Sequence, residues 1–74
     1  MISSSTLKSI SEEVYWKHWT LDADLDMWYS YATHPPQRTT RKEQRYYQRH
    51  FCAAYARFKR YEAHLYSTYP EYFL

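Results

Sequence analysis

The chain contains no glycine. Type II, I′ and II′ turns place a residue at positive φ and usually want glycine there. A fold built on tight β-hairpins is therefore not expected. The same absence removes phosphate loops, dinucleotide fingerprints and the G-x-S-x-G nucleophile elbow, all of which need glycine. Cysteine is nearly absent as well. Cys52 stands alone, so no disulfide framework can form. No apolar run approaches the length of a membrane span. Met1 to Ser11 lacks the basic start and apolar run of a signal peptide. A lone thiol without a secretion signal points to a reducing, cytoplasmic setting.

What is abundant is aromatic. Ten tyrosines, three tryptophans and three phenylalanines occur in 74 residues. A chain of this length is one small domain near the lower limit for folding alone. Dense packing, self-association or a partner must supply stability. The aromatics exceed what a two-helix core needs, so several are expected at the surface or in an interface.

Thr40 to Tyr69 reads as one amphipathic helix. Tyr47, Phe51, Ala54, Phe58, Tyr61 and Leu65 recur at spacings of 4, 3, 4, 3, 4, the seam of a helix packed along its length against another. Thr40 and Glu43 form a T-x-x-E capping box. Pro70 ends the helix, because it lacks an N–H and disfavours helix in the residue before it. A second seam runs through Leu7, Ile10, Val14, Leu21, Leu25, Trp28 and Ala32. This helix, about 6–33, is expected to start at Ser5 or at Ser9, whose S-x-x-E spacing to Glu12 makes another capping box. The seam is poor around Lys17 and His18, and Thr20 before Asp22 resembles a new N-cap. A kink or break is placed near Thr20 as an alternative to one continuous helix.

His34-Pro35-Pro36-Gln37-Arg38-Thr39 is the breaker between the two helices. A short connection makes its helices antiparallel neighbours. The expected architecture is all-α, an antiparallel helical hairpin dimerising into a four-helix bundle. With the turn near residue 36, facing residues have numbers summing to about 73. Asp24 then lies opposite Arg49, and Glu13 opposite Arg60. The aromatic tail 70–74 either folds back on the hairpin or docks elsewhere.

Charge is unevenly placed. Residues 1–33 carry a net −3, residues 34–60 a net +7 and residues 61–74 a net −2. Arg38, Arg41, Lys42, Arg45, Arg49 and Arg57 are candidate phosphate contacts, with Tyr46, Tyr47 and Tyr55 between them to stack on bases. The alternative is internal pairing of this stripe with the acidic first helix. Asp22-x-Asp24-x-Asp26 opens like a calcium loop, but Met27 and Thr33 stand where that loop needs glycine and glutamate. His50 and Cys52 project from different sides of a helix, and the four histidines form no ligand set. No catalytic residue, cofactor, metal or small-molecule substrate is expected. Trp16, Trp19, Tyr29, Tyr55 and Tyr66 lie beside the seams. Tyrosine, tryptophan and arginine anchor protein interfaces, so these five are the candidate interface. The sequence thus points to a small non-enzymatic regulatory or accessory protein that binds itself and another protein. A nucleic-acid-binding regulator using the basic helix is the alternative, and no membrane partner is expected.

Overall fold

A computed structural model describes residues 2–74. Every regular element among them is helical: α1 (Ser4–Ile10), α2 (Glu12–Thr33), α3 (Arg41–Thr68) and a 3₁₀ turn over Pro70–Tyr72. There are three helices rather than two, and the chain breaks at Ser11.

Ser11 explains the break. Its backbone is extended (φ −174°, ψ 160°). Its N–H donates to the Leu7 carbonyl at 3.1 Å and closes α1. Its hydroxyl accepts from the Val14 N–H, also at 3.1 Å, and opens α2. One residue therefore caps two helices, with Glu12 and Glu13 set in the first turn of α2 where the helix dipole favours them. The break expected near Thr20 is absent. Thr20 lies inside α2, and its hydroxyl donates to the Trp16 carbonyl at 2.9 Å instead of capping anything. Ser9 does not cap either, because its hydroxyl donates to the Ser5 carbonyl. Ser3 opens α1 by accepting from the Thr6 N–H at 3.2 Å.

Thr40 caps α3 as its spacing to Glu43 predicts. The Glu43 N–H donates to Thr40 Oγ1 at 3.2 Å, and the same hydroxyl donates to the Glu43 carboxylate at 3.1 Å. Pro70 begins the 3₁₀ turn just past Tyr69, the residue that closes α3. In the connection, Arg38 adopts φ 66°, a left-handed conformation that a glycine would take without cost.

α2 and α3 lie side by side in opposite chain directions. Asp24 meets Arg57, His18 meets Glu62, Trp28 meets His50 and Tyr31 meets Tyr47. Facing numbers therefore sum to 78–81, not about 73. The connection does not fold about residue 36. It carries α3 past the end of α2, so the first turn of α3 projects beyond its neighbour. Asp24 consequently pairs with Arg57 and not with Arg49, and Glu13 makes no ion pair with Arg60.

The core sits at one end. α1 folds back along the start of α2, and Ile2, Leu7, Val14 and Leu65 form a buried cluster. Ile10, Tyr15, Tyr61, Tyr69 and Phe73 pack around it, so the tail does return to the body through Phe73. Ala54 and Phe58 extend the buried line along α3. The molecule measures 48 × 18 × 17 Å with a radius of gyration of 15.0 Å. A compact chain of this length has about 11 Å. The protein is a rod whose core fills only part of its length.

Candidate interaction surfaces

Three surfaces follow from how α2 and α3 pair. The first is the outer face of α2. Trp16, Trp19, Ala23 and Met27 follow at i, i+3, i+7 and i+11, one stripe of a helix. That stripe points away from α3, which is met by Val14, His18, Leu21, Leu25 and Trp28. Trp16 is 56% exposed and Trp19 54%, and Met27 is also exposed. The two indoles stand edge to face at 5.9 Å, and Tyr15 meets Trp16 edge-on at 5.1 Å. α2 is thus apolar on two opposite sides but covered on one. A helix apolar all round is normally buried on all sides.

The second surface is a groove of about 300 Å³ between α2 and α3, lined by Asp22, Leu25, Asp26, Tyr29, Phe51 and Tyr55. Leu25 and Phe51 make its floor. The Tyr29 and Tyr55 rings flank Phe51 at 5.6 and 6.3 Å. Asp22 and Asp26 stand on its α2 rim, and neither makes an ion pair among the described residues.

The third is basic. Arg41, Gln44, Arg45, Gln48 and Arg49 line a shallow depression of about 450 Å³ on α3. None of these arginines makes an ion pair among the described residues, because the observed register brings Asp24 to Arg57 (3.0 Å) instead. Internal pairing therefore does not quench this stripe. Arg57 is engaged by Asp24, Arg38 lies in the connection, and Lys42 on the first turn of α3 is exposed.

The five aromatics singled out by sequence are exposed but do not form one patch. Trp16 and Trp19 share the outer face of α2. Tyr29 and Tyr55 share the groove. Tyr66 meets Phe73 at 4.6 Å near the tail. The tyrosines proposed for base stacking are also divided. Tyr47 is half-buried against Tyr31 at 5.3 Å, while Tyr46 packs on Trp28 and on His50 at 4.3 Å. Met27 and the groove carboxylates Asp22 and Asp26 are not among the interface candidates that the sequence suggests. Met27 was visible as i+11 from Trp16, whereas the groove needs the α2–α3 register.

Two buried polar groups complete the inventory. His18 fills the weak point in the α2 seam, with Nε2 3.3 Å from Glu62 Oε2 and the ring 5.0 Å from Phe58. Lys59 reaches the other Glu62 oxygen at 3.7 Å. At Tyr61, burial pushes the phenol above its ordinary value, aided by Tyr69 and Glu13. His50 is stacked on Trp28 at 4.4 Å. Among the described residues no three His, Cys, Asp or Glu side chains gather to hold a metal. Nor, among the described residues, is any helix long and apolar enough to cross a membrane. Comparison with family models, curated proteins and solved structures finds no match to this chain.

Proposed function

We propose that this chain is a small, cytoplasmic, non-enzymatic regulatory or accessory protein that works by stoichiometric binding to another protein. In this reading α2 and α3 form a helical hairpin, and two copies associate into a four-helix bundle. The observation that carries it is the pair Trp16 and Trp19, both more than half exposed on the face of α2 opposite α3, where only the edge of Trp19 adjoins α1. Tryptophans are the commonest energetic anchors of protein interfaces. Each offers a partner a large apolar area.

The test is a pull-down from cell extract with and without nuclease, using the wild-type chain and Trp16→Ala/Trp19→Ala. A protein retained after nuclease and lost with the double variant supports the reading. Both side chains are largely outside the core, so the variant should keep its helicity by circular dichroism. Capture that survives the tryptophan changes but disappears with nuclease would overturn it.

One observation favours a second reading. Arg41, Arg45 and Arg49 make no ion pair with the acidic helix, so a basic face remains available for a nucleic-acid backbone. In that case log affinity falls steeply with log salt. Arg41→Ala/Lys42→Ala/Arg45→Ala should then flatten the slope by about one unit per lost phosphate contact.

A further inference from the structure

The basic depression and the acidic groove are neighbours on one side of the rod. Arg41, Arg45, Gln48, Cys52, Tyr55 and Lys59 follow along α3 at spacings of 4, 3, 4, 3, 4. This is a second seam, offset from the buried line through Ala54, Phe58 and Leu65, and most of it is polar. Its first half lines the basic depression and Tyr55 lines the groove. The centres of the two regions are about eight residues apart, or about 12 Å along the helix.

A face that is basic at one end and acidic-aromatic at the other is complementary to itself when turned by a two-fold axis. In such an isologous contact, residue i meets j while j meets i. We propose that this face binds a second copy of the chain, with the two α3 helices crossing antiparallel about a point between Gln48 and Cys52. Arg45 of each copy then lies on the Tyr55 ring of the other, beside Asp22 and Asp26. A guanidinium over an aromatic ring with carboxylates at its edge combines cation–π attraction with charge pairing. Lys59 meets the Arg41 end; its ammonium stands 3.7 Å from Glu62 and 5.7 Å from the centroid of its own Tyr55 ring, so the partner's Arg45 shares that ring with Lys59 and depends on Asp22 and Asp26 for its charge pairing.

The rod as a whole has surface enough to spare for an interface of this kind. The molecule exposes 5807 Å² at 9.2 kDa. A compact monomer of that mass exposes about 4,900 Å². The difference of about 900 Å² compares with the roughly 800 Å² that each partner buries in a standard interface. Charge argues against the alternative dimer through the outer face of α2. Two such faces offer each other no opposite charges, because the stripe of Trp16, Trp19, Ala23 and Met27 is uncharged and Glu12 at its start is acidic.

This inference rests on the dimeric part of the reading above, and it leaves Trp16, Trp19 and Met27 free for a different partner. The experiment uses sedimentation equilibrium on three samples. Wild type should be a dimer at micromolar concentration. Asp22→Lys/Asp26→Lys and Arg41→Glu/Arg45→Glu should each dissociate at least about 100-fold more readily, because like charges now oppose one another. Mixed together they should form a one-to-one heterodimer, since one now carries only basic charge on this face and the other is mainly acidic, with Arg49 and Lys59 as its remaining cations.

A monomeric wild type would overturn dimerisation itself. A dimeric wild type with unaffected variants, or a mixture that stays monomeric, would overturn this face. A second measurement does not depend on the variants. Cys52 is exposed and lies beside the axis, so a short bismaleimide should link two wild-type copies and should fail to link Cys52→Ser. Absence of the linked species in a sample shown to be dimeric would also reject the face. Trp16→Ala/Trp19→Ala should dimerise as wild type does, so losing a partner protein and losing the dimer are read separately.

Discussion

The two ends of the rod are built differently. At the α1 end three layers meet, and Leu65 lies between α1, α2 and the returning tail with no solvent contact. Its neighbours Ile2, Leu7 and Val14 are aliphatic. At the connection end only α2 and α3 are present. There the contacts are rings: Trp28 on His50, Tyr31 on Tyr47, and Tyr46 on both Trp28 and His50. None of these rings is fully buried. Two helices alone cannot enclose a side chain, so width substitutes for depth. A large ring covers its neighbour even while one face stays wet. A third element, however short, permits a close-packed aliphatic core.

Substitutions can break that contrast. The largest effect is expected at the layered end. Leu65→Ala should cost about 4 kcal/mol by urea denaturation, because it removes a fully buried side chain from a site walled on all sides. Small domains hold only about 5–10 kcal/mol in total. Trp28→Ala at the open end should cost about 1–2 kcal/mol despite deleting a larger side chain, since solvent already reaches the ring. Equal costs would mean that the open end is packed as well as the closed one.

The boundary between the ends is the buried pair His18 and Glu62. Glu62→Ala should cost about 2–3 kcal/mol, because it strands a buried imidazole. His18→Leu/Glu62→Met, which removes both polar groups together, should be close to neutral. A double variant as damaged as the single one would show that this junction needs its polar contact.

A smaller effect is expected at Tyr61. Its folded-state phenol holds its proton above the ordinary value of 10.0. The unfolded chain releases that proton first as pH rises. Stability should therefore be intact below about pH 10 and fall above it. Tyr61→Phe should remove part of that alkaline slope in denaturation curves taken between pH 9 and 11. The smallest change is in the connection. Arg38→Gly relieves the left-handed backbone, offset by greater freedom of the unfolded chain. A gain of about 0.5 kcal/mol is expected.

Much of α3 was legible in the sequence because three independent signals agreed on it: the Thr40–Glu43 box, the seam from Tyr47 to Leu65, and Pro70. The start of the chain carried conflicting signals. Ser9-x-x-Glu12 matches a capping box better than Ser11-Glu12-Glu13-Val14 does, yet Ser11 is the cap. What decides is tertiary, since Leu7 and Val14 can both reach Leu65 only if the chain turns back between them. The register is not legible in the same way: equal arms on either side of the prolines give facing sums near 73, while a chain segment of that length can also carry α3 past α2. The difference, about two turns of helix at Asp24, moves its partner from Arg49 to Arg57 and forms the groove at Asp22 and Asp26. Exposure of the tryptophans needed only helical spacing, and so it was readable in advance.

The serine between α1 and α2 has a consequence for how the molecule opens. A seven-residue helix is too short to persist by itself in water. α1 exists because Leu7 and Ile2 are docked and Ser11 holds both helix ends. Lifting α1 uncovers Leu65, and uncovering Leu65 removes what holds α1. The two events are one transition. In hydrogen exchange, the amides of α1 and those of the last turns of α3 should therefore share a single opening free energy and behave as one cooperative unit, though more than fifty residues separate them in the chain.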